Sequence, residues 1–209
     1  MKIEQVEKNL INTTGIHYGQ PIRLTNWEKN ILNNFNNKII IITDRKSGST
    51  SFCKWLHYFK PTGKTYVISN NLIFSKCIKH MPIRLNKDIG KVTPTYDWME
   101  TISKNKFLKE GIKIYEDVEF KELGLIEDEI DFMIDNCWDV RVLNKVIECN
   151  PTLFTLSISR PLNSSFWDKE KNKDFFNWIE EIKKRDDTLV VIDKSINYTQ
   201  INDAYVNND

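Results

Sequence analysis

The chain has 209 residues, 40% hydrophobic and 28% charged, with a formal net charge of +1. That is enough for one domain with a full core, so a single folded domain over residues 1–209 is expected. The near-neutral balance excludes a chain basic throughout, and leaves any nucleic-acid contact to a local basic face. A polar helix is expected over 2–11. In "RLTNWEKNILNNF" (23–35) Thr25 or Asn26 is the N-cap, and Trp27, Ile31, Leu32 and Phe35 share one face. "KIIIIT" (38–43) is β-branched and too short for a free helix, so it reads as a buried strand. "STSFCKWLHYF" (49–59) reads as a helix with Phe52, Leu56 and Phe59 inward. "KTYVIS" (64–69) is the next strand, and "NLIFSKCIKHM" (71–81) a helix stopped by Pro82.

Further on, 97–107 looks helical, "IKIYED" (112–117) is a strand ending in carboxylates, and 125–136 and 139–149 look helical. "TLFTLSIS" (152–159) is a strand ended by Arg160-Pro161, 173–185 an amphipathic helix, and "TLVVID" (188–193) the last strand, before a frayed tail. Strands that are continuous apolar runs alternate with helices. That pattern predicts an α/β domain of three layers around a mainly parallel sheet. Ligands of such sheets sit at the carboxyl ends of the strands. The segments carrying chemistry fall there: 44–51, 116–119 and 159–165.

The first is "DRKSGSTS" (44–51), between a strand and a helix. Gly48 allows a tight turn and close phosphate approach. Ser47, Ser49, Thr50 and Ser51 offer hydroxyls and backbone donors at a helix start, and Arg45 or Lys46 offers a cation. Thr50 stands where a phosphate loop, G-x-x-x-x-G-K-[ST], places its Mg²⁺ ligand, but Ser49 occupies the lysine position. The same letters also fit an ordinary capped turn. "PTGKT" (61–65) contains G-K-T, yet leads into a strand and reads as a turn. The strand ending in Glu116-Asp117 fits a carboxylate pair, one on the Mg²⁺ shell and one on the attacking water. Alone, it also fits a solvated turn.

Cys53, Cys77, Cys137 and Cys149 form no C-x-x-C pair, and the three histidines are scattered, so reduced buried thiols are expected and not a zinc site. The charged start "MKIEQVEKNL" lacks an apolar signal region, and no apolar run has transmembrane length. A soluble intracellular chain is therefore expected.

Taken in order, four motifs over roughly residues 20–170 resemble the ATPase domain of viral terminase large subunits, P-loop NTPases that package DNA into proheads. "LTNWEKNIL" resembles the adenine-binding stretch, with Trp27 as the aromatic and Glu28 in place of glutamine. "DRKSGSTS" resembles S-R-Q-x-G-K-[ST], with Arg45, Gly48 and Thr50 matching. "IYEDVEF" resembles the Walker B stretch in reversed acidic order. "LSISRPLNSSF" resembles the coupling motif, with Ser159 and Pro161 matching and Arg160 between them. The resemblance implies ATP and Mg²⁺ as cofactors, with Thr50 and Glu116 toward the metal and Asp117 toward water. Arg45 or Lys46 would supply the cation. Trp27, Glu28, Ser47, Gly48, Ser49, Thr50, Ser51, Ser159 and Arg160 would line the nucleotide. Its implied partners are double-stranded DNA held without sequence preference, the portal and prohead, other terminase subunits and a separate nuclease chain, in the cytoplasm of an infected host cell. No membrane is implied. The family's C-terminal nuclease does not fit in this length.

Two other readings stay open. One is a P-loop-like interaction module impaired in catalysis. The other is a sulfotransferase-like enzyme, since "RKSGSTS" also resembles the 5′-phosphosulfate loop P-[RK]-S-G-[ST]-[ST]; Arg160 with Ser164 or Ser165 would then meet a 3′-phosphate.

Overall fold

The computed structural model describes residues 3–12, 18–59, 64–69, 83–85, 99–111 and 129–196. Six strands form one sheet: β2 (Lys38–Thr43), β3 (Lys64–Ser69), β5 (Met99–Ser103), β6 (Ile130–Asp135), β7 (Leu153–Ser159) and β8 (Thr188–Asp193). Their spatial order is β5-β3-β6-β7-β2-β8, and every pairing is parallel. A separate antiparallel pair joins β1 (Leu10–Asn12) to β4 (Ile83–Leu85).

Interior placement of β2 follows from its sequence. Ile39, Ile40, Ile41 and Ile42 are all fully buried, so the strand is covered on both faces. Burying each such side chain contributes about 1.5–3 kcal/mol, far more than β propensity alone. Ile39 and Ile41 join one core with α2 (Asn26–Asn33) and α3 (Ser49–Phe59), through Ile31, Leu32, Phe52, Trp55 and Leu56. Ile40 and Ile42 join the opposite core with α4 (Lys104–Glu110), α5 (Val140–Glu148) and α6 (Lys173–Ile182), through Phe107, Leu143, Val146, Phe175 and Ile179. The result is the expected three-layer α/β architecture.

Strand register aligns the carboxyl ends. Thr43 pairs with Ser159 and with Asp193, Asp135 with Ser157, and Ser69 with both Asp135 and Ser103. One edge of the sheet is therefore a row of short polar side chains.

Several expected elements differ. Residues 125–136 were expected to be helical, but 130–135 form the central strand β6. "IDFMID" is buried on both faces, and such a run has no period to separate strand from helix. The expected helix 97–107 is instead strand β5 followed by α4, with Ser103 as N-cap accepting from Lys106 N at 3.2 Å. At the N-terminus α1 covers Ile3–Asn9, and residues 10 and 11 belong to β1. The expected helix 71–81 and strand 112–117 lie outside the described residues. Cys53 and Cys137 are buried as expected, but Cys149 is exposed.

Candidate functional site

The polar edge is most developed between β2, β6 and β7. After Thr43 the chain makes a tight loop, with Lys46 at φ 65° and Gly48 at φ 84°. Glycine suits that conformation; at Lys46 a side chain is held in it at some cost. The loop ends where α3 begins, with Phe52 N donating to Gly48 O at 2.9 Å. From β7, Ser159 Oγ donates to Asp44 O at 2.9 Å, and Arg160 N donates to Thr43 O at 3.2 Å. The loop is thus tied to the neighbouring strand at its start.

Behind the loop lies a buried chain of hydroxyls. Thr43 Oγ1 and Ser47 Oγ share a 2.5 Å hydrogen bond. Ser47 Oγ donates to Ser49 Oγ at 3.1 Å, and Ser49 Oγ and Ser157 Oγ share a bond of 3.0 Å. Ser49, the residue in the lysine position, is 1% exposed. Its hydroxyl points into this network and carries no charge to the loop mouth.

At the other end, Thr50 Oγ1 donates to Asp135 Oδ1 at 2.8 Å. A hydroxyl on the first turn after the loop meets a carboxylate ending a central strand. Asp135 is 2% exposed. Burial raises its pKa above the ordinary carboxylate range, while the bonds from Thr50 and Asn136 and the charges of Lys54 and Arg160 act the other way. A divalent cation would favour the ionised form strongly. Hydroxyl plus carboxylate is the protein's share of a Mg²⁺ site in which phosphate oxygens and waters complete the shell. The donor set fits that metal. Among the described residues no cluster of three His, Cys, Asp or Glu side chains exists, as a closed all-protein metal site would need.

Asn136 follows Asp135 with φ 50°. Its Nδ2 donates to Asp135 Oδ2 at 3.2 Å, and its Oδ1 accepts from Ser159 N at 3.1 Å. The amide therefore braces β6 against β7.

Arg45 and Lys46 are exposed at the loop, and Ser51 is exposed on the first turn of α3. Trp27 packs its ring on Phe52 with centroids 5.3 Å apart, on the same helix that carries Thr50. Its Nε1 is buried without a hydrogen-bond partner. Glu28 serves a local purpose: Oε2 accepts from Thr25 N at 2.7 Å and from Thr25 Oγ1 at 2.8 Å, closing a capping box at the start of α2. Glu116 and Asp117 lie outside the described residues. The carboxylate that the fold does bring to Thr50 is Asp135, which sequence reasoning missed. Its signal was present: an apolar run, "FMI", ending in an acid, in the same form as the runs read as strands.

No family model matches the chain, and no curated protein or solved structure matches it either.

Proposed function

We propose that this chain binds a nucleoside triphosphate with Mg²⁺ at the loop 44–50, as a P-loop NTPase-like domain, with ATP as the nucleotide. The observation that supports it is the bond from Thr50 Oγ1 to the buried Asp135 at the carboxyl edge of a parallel sheet. In this reading the backbone N–H groups around Gly48 and the start of α3 receive phosphate oxygens. Thr50 and Asp135 would hold Mg²⁺, which when bound would supply positive charge against the phosphates. Arg45 or Lys46 supplies the cation that Ser49 does not. Glu116 and Asp117 remain the proposed acids for the outer metal shell and the attacking water. The larger role follows from the resemblance alone: a viral DNA-packaging motor that grips double-stranded DNA through phosphates, working with portal, sister subunits and a nuclease chain in an infected cell. No described helix is long and apolar enough to cross a membrane.

A second reading, a module that binds nucleotide but turns it over little, is favoured by two observations. The lysine position is a buried serine, and the residue after Asp135 is an amide already engaged on both sides. The sulfotransferase-like reading is disfavoured, because Ser164 Oγ accepts from Phe166 N at 3.0 Å and the hydroxyl–carboxylate pair has no role there.

Calorimetric titration of the full chain tests this directly. ATP with Mg²⁺ should bind, and removal of Mg²⁺, Thr50→Ala or Asp135→Asn should each weaken binding about tenfold or more. Binding of the sulfonate-donor nucleotide in preference to ATP, or ATP binding indifferent to all three changes, would sink the proposal.

A further inference from the structure

Arg160 leaves the carboxyl end of β7, the strand lying between the loop strand β2 and the Asp135 strand β6. Its backbone is held from both sides. The N–H donates to Thr43 O at 3.2 Å, and the carbonyl accepts from Trp167 Nε1 at 3.3 Å. Its guanidinium lies over the Trp138 indole, 4.7 Å from the ring centroid. Stacking engages the face of the guanidinium and leaves its in-plane N–H groups unused. Its Nε is buried without a hydrogen-bond partner. Asp135 feels its charge but does not receive a hydrogen bond from it.

A buried, unsatisfied cationic donor is costly, and a backbone pinned at both ends keeps it from relaxing away. Such an arrangement makes sense if the missing partner is an anion that arrives later. Its position on the sheet edge names the anion. Thr43 begins the loop that would cradle the inner phosphates, and Asp135 would hold the metal. A cation that leaves the strand between them and whose charge acts on Asp135 is suited to the outer end of a polyphosphate held by the loop and the metal. The planar fork suits phosphate oxygens, which accept paired N–H bonds.

We infer that Arg160, held on Trp138, is the residue that recognises the terminal phosphate of the bound nucleotide, a second cation that reaches it from the neighbouring strand and is separate from the one Arg45 or Lys46 gives at the loop. The inference rests on the nucleotide reading above. It makes Arg160 a discriminator of triphosphate from diphosphate, a role that a purely structural arginine would not have.

Equilibrium titrations of the full chain with ATP-Mg²⁺ and ADP-Mg²⁺ test it, using wild type, Arg160→Ala and Arg160→Lys. Arg160→Ala should weaken ATP about 10- to 100-fold, while ADP changes less than about twofold. Arg160→Lys should recover part of the loss, since it keeps the charge without the fork. Thermal unfolding of each variant checks folding, and Arg160→Lys carries the comparison if the alanine variant does not fold. Equal effects on ATP and ADP, or none on either, would overturn the role of Arg160 while leaving the nucleotide reading intact. Wild type binding neither nucleotide would overturn both.

Discussion

Asp135 illustrates how one buried carboxylate ties the proposed chemistry to stability. Its pKa is raised by burial, so the folded state resists its ionised form. Asp135→Asn retains the shape and, with its amide turned, can still bond Thr50 and Asn136. The substitution should leave the melting temperature unchanged or raise it by a few degrees, about 1 kcal/mol, while shrinking the stabilisation by a fixed concentration of ATP-Mg²⁺. A variant stabilised by ATP-Mg²⁺ as much as wild type would remove Asp135 from the metal site. His57 makes a separate prediction. It is fully buried on α3, with Nε2 2.9 Å from Thr155 Oγ1, and burial lowers its pKa to about 3. The unfolded chain protonates it near pH 6.5, so its contribution is complete above that pH and is lost as pH falls toward 3. Urea unfolding between pH 6.5 and pH 5 should show a loss of up to about 1.4 kcal/mol per pH unit that His57→Gln abolishes. An unaltered slope in the variant would refute that assignment. At the loop, Arg45→Ala and Lys46→Ala should slow any phosphate release, on the order of 10²-fold for a lost transition-state contact. An unchanged rate in both would remove them as replacements for the missing lysine.

The start of α2 is where local sequence signals are most complete. Thr25 caps the helix and Glu28 returns the bond, as the spacing T-x-x-E requires. Thr25→Ala should cost about 1 kcal/mol, read as a lower urea midpoint with an unchanged slope. Withdrawal of the Glu28 carboxyl from water raises its pKa to about 7. Its sign is opposite to that of His57: the contribution is complete below about pH 4.5 and is lost as pH rises through 7. Glu28→Gln preserves the box and should flatten this part of the pH profile, improving stability at pH 8 relative to wild type. A stability profile of His57→Gln that rises from pH 5 to pH 8 would contradict this.

For the whole molecule, ligand binding and stability are linked by mass action. If ATP-Mg²⁺ binds only the folded chain, a concentration 100 times Kd should stabilise it by about 2.7 kcal/mol, visible as an upward shift in melting temperature. If the chain also grips DNA, as the motor reading proposes, DNA should add a salt-sensitive increment, because a grip on phosphates releases counterions and reads no bases. Phosphate release measured with and without double-stranded DNA separates a motor from an impaired module. Stimulation by DNA supports the first, and binding with no turnover in either condition supports the second.

Local pattern determined much of this fold. Strands 38–43 and 64–69, the helix 49–59 and the parallel three-layer class were legible, because β-branched apolar runs between amphipathic segments leave few alternatives. The loop was legible too, since glycine and hydroxyls at a strand-to-helix junction have a local conformational meaning. Tertiary structure alone decided which carboxylate meets Thr50. Asp135 lies 85 positions from Thr50, and its strand was masked by a run with no readable period. Only the strand order, which sets β7 between β2 and β6, turns that run into a neighbour of the loop. The same order decided the environment of Arg160. A sequence shows an arginine after a strand, but that its guanidinium is stacked on Trp138 and its Nε left unpaired is a property of packing.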